Sequence, residues 1–263
     1  MVQNTEKYTV ITGASSGIGY ETAKAFAERG SSLILVARRK DRLEALRQEI
    51  LALHPMLDIV VKAADLSVPQ NVFQLYESIK SYPLQTWVNN AGFGNYGSVG
   101  NQDLEKISRM LHLNVEALTV FSSLFVRDFK DTEGTQLINI SSCGGYTIVP
   151  NAVTYCAAKF YVSAFTEGLA WELKAAHAKM QAKVLAPAAT KTEFGKIAND
   201  VSEYDYDRLF GVYHTSTQMA AFLLELYDSD KTVGFVDRET FSFHLYEPQF
   251  QYAGSSCHNQ KMQ

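Results

Sequence analysis

The sequence predicts an α/β fold: a single domain over residues 1–263, doubly wound around a mostly parallel sheet of seven strands with helices on both faces. Three observations predict it. Short apolar runs alternate with longer stretches whose apolar residues recur at helical spacing. The apolar runs are continuous, as strands buried on both faces require. The alternation persists to about residue 245 without a repeat, a low-complexity tract or a linker, so one domain accounts for the chain.

The elements follow in order. KYTVITGA (7–14) is a buried strand, and 20–29 a helix stopped by Gly30. SLILVA (32–37) is the second strand, and 40–53 carries Leu43, Leu46, Ile50 and Leu53 on one helical stripe. DIVVKAAD (58–65) is the third strand and 69–81 the third helix. QTWVNNAG (85–92) is a strand running into a loop, 103–129 one long helix, and TQLINISS (135–142) the fifth strand. A helix over 155–176, a sixth strand AKVLAPA (182–188), a helix over 216–227 and a last single strand TVGFVDRETFSFHL (232–245) complete the pattern. The least regular stretch, 187–215, has a length that suits a functional lid better than a plain connection. Residues 253–263 read as a frayed tail.

Composition narrows the function. A formal net charge of −4 provides no basic field for nucleic acid and no polybasic membrane patch. No apolar run approaches the ~20 residues of a membrane-spanning helix, and MVQNTEKY lacks the apolar core of a signal peptide. Cys143, Cys156 and Cys257 share no pairing or metal spacing, and the six histidines are scattered. A cytoplasmic protein with no metal, no nucleic acid and no membrane partner is expected.

The first strand runs into TGASSGIG (12–19) and then a helix. Gly13, Gly17 and Gly19 without β-carbons, at a helix N-terminus, make a cradle for a pyrophosphate. The second strand then selects the nucleotide. An acid at its end suits the ribose hydroxyls of NAD(H). Here Ala37 stands in that place, followed by Arg38 and Arg39, whose guanidinium groups suit the 2′-phosphate of NADP(H). Ser16 can add a hydrogen bond to the same phosphate.

At this point the chain resembles the short-chain dehydrogenase/reductase family, in its branch with the TGxxxGxG loop and YxxxK. The likeness runs to about residue 195. ADL (64–66) matches the adenine segment with Asp65, NNAG (89–92) the motif ending the fourth strand, LHLNV the helix asparagine Asn114, NISS (139–142) the catalytic serine Ser142, and YCAAK (155–159) the Tyr155–Lys159 pair. The family's PG after the sixth strand is Pro187–Ala188 here, which Ala accepts if its φ is negative. The resemblance implies a Rossmann-type fold, a cofactor-binding part over 5–186, and a substrate loop with the C-terminal part over 187–252. It implies a cofactor site of Gly13, Ser15, Ser16, Gly17, Ile18 and Gly19, with Arg38, Arg39, Asp65, Leu66, Asn90, Ala91 and Gly92. Tyr155, Lys159, Pro187, Thr190 and Thr192 complete that set. It also implies a homodimer or homotetramer built on the helices 103–129 and 155–176.

The chemistry has a physical reason. Reducing a carbonyl needs a hydride on carbon and a proton on oxygen. A free tyrosine, with pKa about 10, is too weak an acid–base group near neutrality. A lysine one helical turn away favours phenolate, so Lys159 is expected to lower the Tyr155 pKa. Ser142 is expected to stabilise charge on the substrate oxygen. By resemblance, Lys159 also holds the nicotinamide ribose and Asn114 holds a water of the proton path.

Loops at the carboxyl ends of the strands carry Phe93, Tyr96, Tyr146, Val149, Phe194 and Tyr204, so an apolar or aromatic carbonyl or secondary alcohol is the expected substrate. A catalytically silent NADP(H) sensor of the same fold is the alternative; an intact Ser142, Tyr155 and Lys159 disfavours it. A lyase or epimerase with a tightly held nucleotide is disfavoured by the glycine spacing.

Overall fold

The structure is a computed structural model that describes residues 7–254 and 256. Most of the expected tail at 253–263, with Cys257, lies outside the described residues.

The chain opens with β1 (Tyr8–Thr12), α1 (Gly17–Glu28), β2 (Ser32–Ala37), α2 (Lys40–Leu53), β3 (Ile59–Ala63) and α3 (Pro69–Glu77). It continues with β4 (Leu84–Asn89), α4 (Leu104–Leu111), α5 (Leu118–Phe129), β5 (Gln136–Ile140), α6 (Val153–Ala175) and β6 (Gln181–Ala186). The last part holds β7 (Thr190–Lys191), α7 (Phe194–Asn199), α8 (Tyr206–Phe210), β8 (His214–Thr215), α9 (Ser216–Asp228), β9 (Val233–Val236) and β10 (Phe243–Tyr246). Among the described residues the main sheet has eight strands in the order β10-β9-β6-β5-β4-β1-β2-β3. The first half of the chain adds strands to one side of β1 and the second half to the other. The crevice between the carboxyl ends of β1 and β4 is therefore the topological switch point, where doubly wound sheets bind ligands.

The continuous apolar runs are explained by the two-sided core. Successive strand residues point to opposite faces. Val10, Ile34 and Val36 join Trp87, Phe121 and Phe125 on one face, while Ile11, Leu33 and Leu35 join Phe26, Leu43 and Leu223 on the other.

Two expectations are corrected, and the irregular segment 187–215 gains its structure. The run 232–245 is a hairpin, not one strand. β9 and β10 pair antiparallel, and Asp237 Oδ1 accepts from the N–H groups of Glu239 and Thr240 in the turn. This makes the sheet eight-stranded rather than seven. The helix expected over 103–129 is interrupted at His112–Ala117 by a π-helical stretch, a rare element that recurs at functional sites. The segment 187–215 is no plain loop: β7 and β8 pair as a separate two-stranded sheet and flank α7 and α8.

Candidate active site

The glycine loop joins β1 to α1 at the switch point. Gly13 and Gly17 have φ of 70° and 59°, which strains any residue with a β-carbon. A β-carbon on Gly13 would stand 2.9 Å from Ala91 Cα, and one on Gly19 2.6 Å from Gly13 O. Gly13, Ser15, Ser16, Gly17 and Ile18 line a cavity of about 760 Å³. Gly19 is not among the lining residues; its missing β-carbon lets α1 pack onto the loop. The N-cap Ser16 makes no side-chain cap bond, so the start of α1 opens on the cavity.

NNAG holds this loop from below. Asn90 Nδ2 donates to Thr12 O at 2.9 Å, and Thr12 Oγ1 accepts from the N–H groups of Asn90 and Ala91 at 3.0 Å each. Beneath them, buried Asn89 donates to Asn139 Oδ1 at 2.9 Å, and Asn139 to Thr166 Oγ1 at 2.9 Å. This polar chain pins β4, β5 and α6 together. Each member has a partner, so its burial is tolerated.

At the far end, Arg39 donates to Ser15 Oγ at 3.1 Å and Ser16 Oγ at 2.9 Å. It also pairs with Glu193 at 2.8 Å. The hydrogen bond from Arg39, with further help from Arg42, holds the Glu193 carboxyl down at about 2. Arg38 is exposed and lines the same cavity. Asp65 and Leu66 line it as well; the Asp65 carboxylate closes an Asx turn, accepting from Ser67 N at 3.0 Å. Gly92, Pro187, Thr190 and Thr192 line the cavity too, Thr192 directly against Gly17. Ala188 keeps a negative φ, so the lost glycine is tolerated.

Ser142, Tyr155 and Lys159 meet in the same cavity. Ser142 leaves β5 as the N-cap of a short 3-10 turn, and Gly144 N–H donates to its Oγ at 3.1 Å. Tyr155 and Lys159 share one face of α6, 8% and 6% exposed. Lys159 Nζ lies 5.9 Å from the Tyr155 ring centre and donates to Ile140 O at 2.8 Å. Burial lowers the Lys159 pKa to about 8. The expected lowering at Tyr155 is overturned. Burial, with help from Tyr96, pushes the phenol strongly up, and the Ser142 hydrogen bond offsets only part of that.

Asn114 lies in the π-helical stretch, 1% exposed, and does not line the cavity. Its Oδ1 accepts from Phe93 N–H at 3.1 Å and its Nδ2 donates to Phe93 O at 2.9 Å. Both side-chain ends thus tie down the 93 loop, so Asn114 positions that loop.

The cavity around Tyr155 is aromatic. The Tyr155 ring centre is 5.3 Å from that of Phe194 and 6.1 Å from that of Tyr96. Phe93, Val149, Phe194 and Tyr204 line the cavity as expected. Tyr146 does not: its ring stacks on Phe250 at 5.4 Å and its hydroxyl donates to the buried Glu167 at 2.6 Å. It is half-buried under the C-terminal segment, a packing that only the fold-back of Phe250 reveals. Sequence reasoning missed Tyr206, Phe210, Arg109, Arg238 and Phe241, all of which line the cavity. Arg238 and Phe241 come from the β9–β10 turn, invisible while that run was read as one strand. Spacing gave a signal only for Arg109, four residues before Leu113 on the cavity-facing side of its helix.

Fold and site together define a dinucleotide-binding domain carrying a Ser–Tyr–Lys set. The family model described as short chain dehydrogenase matches residues 7–202. The chain belongs to the short-chain dehydrogenase family of oxidoreductases. It is 30% identical over 208 residues to an uncharacterized oxidoreductase of Staphylococcus saprophyticus, covering 78% of this chain and 83% of that one. A short-chain dehydrogenase from Sphingobium yanoikuyae, solved in complex with NADPH, superposes with a TM-score of 0.80 at 28% identity, over 87% of each chain. The bulky-bulky ketone specific alcohol dehydrogenase from Comamonas testosteroni superposes with a TM-score of 0.75 at 25% identity, over 96% of this chain and 90% of that one. Among the described residues no helix is long and apolar enough to cross a membrane.

Proposed function

We propose that this chain is an NADP(H)-dependent reductase of apolar or aromatic ketones or aldehydes, and oxidises the matching secondary or primary alcohols in reverse. The observation that carries the reading is the buried Tyr155 phenol, held among aromatic rings beside Ser142 in a cavity that reaches the glycine loop.

The residues fit the cofactor. The glycine loop leaves room where β-carbons would collide, and Ala37 stands where an acid would select NAD(H), followed by Arg38 and Arg39. NADP(H), when bound, supplies or accepts the hydride. Lys159, with one carbonyl partner at 2.8 Å, keeps donor capacity for a ribose hydroxyl. Thr190, Thr192 and Pro187 line the wall expected to hold the carboxamide. The raised pKa keeps Tyr155 protonated through neutral pH, the state that gives a proton to a carbonyl oxygen. Ser142 Oγ donates to that same oxygen and stabilises its developing charge. The rings of Tyr96, Phe194, Tyr204, Tyr206 and Phe210 exclude water and accept an apolar body. The NADPH of the Sphingobium structure and the bulky ketones named for the Comamonas enzyme support the same reading.

The reading includes a homodimer or homotetramer in the cytoplasm, with the exposed Tyr161, stacked on Phe165 at 5.8 Å, on the α6 face. The test follows NADPH oxidation against a panel of aliphatic and aromatic ketones and aldehydes, with NADH and Tyr155→Phe in parallel. Turnover with NADPH is expected, falling about 10³-fold in kcat in the variant while NADPH still binds. Near-native kcat in Tyr155→Phe overturns the proton donor. NADPH binding without turnover on any carbonyl or alcohol favours the silent sensor.

A further inference from the structure

A carboxylate of the lid pairs with Arg39, one of the two arginines assigned above to the 2′-phosphate, and with its neighbour Arg42. Glu193 is the residue before α7. Its Oε2 lies 2.8 Å from Arg39 Nη2, and its Oε1 2.7 Å from Arg42 Nη1. The same Arg39 nitrogen donates to Ser15 and Ser16 of the glycine loop. One ionic cluster thus joins the glycine loop, the start of α2 and the lid. Arg38, Arg39 and Glu193 all line the cavity.

A phosphate monoester carries close to two negative charges at neutral pH. It cannot share the Arg39 fork with an ionised carboxylate without like-charge repulsion. Glu193 is ionised at neutral pH, because the two guanidinium groups favour its charged form. A dinucleotide without the 2′-phosphate leaves the cluster intact.

We propose that Glu193 is a specificity-determining residue: it occupies Arg39 and Arg42 until a 2′-phosphate displaces it, so phosphate recognition and release of the lid are one event. The inference rests on the NADP(H) reading above. It makes a distinctive demand. Removing a carboxylate that faces the site strengthens binding of ligands with the phosphate and leaves those without it unaffected. A residue that merely orients Arg39 does the opposite.

The experiment titrates the full chain calorimetrically with 2′,5′-ADP and with 5′-ADP, which lacks the 2′-phosphate. The proteins are wild type, Glu193→Gln and Glu193→Ala, with thermal unfolding confirming that each variant is folded. Wild type is expected to prefer 2′,5′-ADP. Both variants are expected to bind it about three- to tenfold more tightly, the scale set by releasing two half-exposed ion pairs, with 5′-ADP changed by less than about twofold. Amide exchange over 193–199 is expected to quicken in wild type on adding 2′,5′-ADP and not on adding 5′-ADP. If wild type prefers 2′,5′-ADP but the variants bind it equally or more weakly, the Glu193 role is overturned and the NADP(H) reading stands. If wild type shows no preference, the NADP(H) reading fails and the Glu193 role falls with it.

Discussion

The two walls of the cleft are built from different material. On the glycine-loop side the obstacles include backbone: a β-carbon on Gly13 would lie 2.9 Å from Ala91 Cα, and one on Gly19 2.6 Å from Gly13 O. On the lid side, side chains meet side chains: a β-carbon on Gly195 would lie 2.3 Å from the Tyr204 ring, and one on Gly94 2.7 Å from Phe194. The first wall has no slack, since the loop, Asn90 and Thr12 hold one another by hydrogen bonds. The second can rearrange, because rings on α7 and α8 shift with short helices. One wall suits a ligand of fixed shape, and the other a ligand met by side chains alone.

The same contrast appears in two buried lysines, both with pKa lowered to about 8 by burial. Lys183 Nζ donates to the carbonyls of Leu226, Tyr227 and Ser229 at 2.7–2.9 Å and so closes the end of α9. All three of its donors are used. Lys159 has one carbonyl partner among the described residues. Two lysines lowered alike therefore differ in their partners: one is structural, and the other has capacity left for a ligand.

Four experiments break or sharpen these comparisons. Gly19→Ala should weaken NADPH binding by about 30-fold, on the order of 2 kcal/mol of overpacking against backbone, read by fluorescence titration. An unchanged Kd would mean that the loop has slack after all. Next comes pH. The Lys159 cation dominates below its lowered pKa of about 8, so kcat/KM for reduction should fall by nearly tenfold per unit above about 8. Stability should move the other way. The folded lysines release their protons before the unfolded ones, whose pKa is 10.5, so stability rises between pH about 8 and 10.5. Parallel pH profiles of kcat/KM and of the urea midpoint check both signs.

Third, Lys183→Met leaves three carbonyls without their donor and should cost about 1–3 kcal/mol of stability, with kcat unchanged in the folded fraction. A loss of kcat without a loss of stability would reverse the two lysines' roles. Smallest is Gly195→Ala, which should raise KM for a ketone about threefold through displacement of Tyr204, with the NADPH Kd unchanged. An effect on NADPH as large as that of Gly19→Ala would erase the difference between the walls.

Legibility follows the same division. TGASSGIG, NNAG and YCAAK place backbone turns and one helix face at fixed short spacings, and all fall at the cavity or directly beneath it. The aromatic lining was legible only as a set. Phe93, Val149, Phe194 and Tyr204 line the cavity, but Tyr146, in an equally suitable loop, packs on Phe250, which is a hundred residues later in the chain. Asn114 shows a subtler failure: its helix was legible, whereas the π-helical turn that aims its amide at Phe93 was not.

By itself, the sequence determined the α/β alternation, the glycine cradle and the four-residue step from Tyr155 to Lys159. Each is set by backbone geometry over a few neighbouring residues, where the spacing of residue types is the physical cause. Tertiary structure alone decided the β9–β10 hairpin, the Glu193 bridge between lid and arginines, and the burial that raises Tyr155 while lowering Lys159. Those depend on which distant segments meet and how far they exclude water, and desolvation is a property of the assembled cavity rather than of any residue in it.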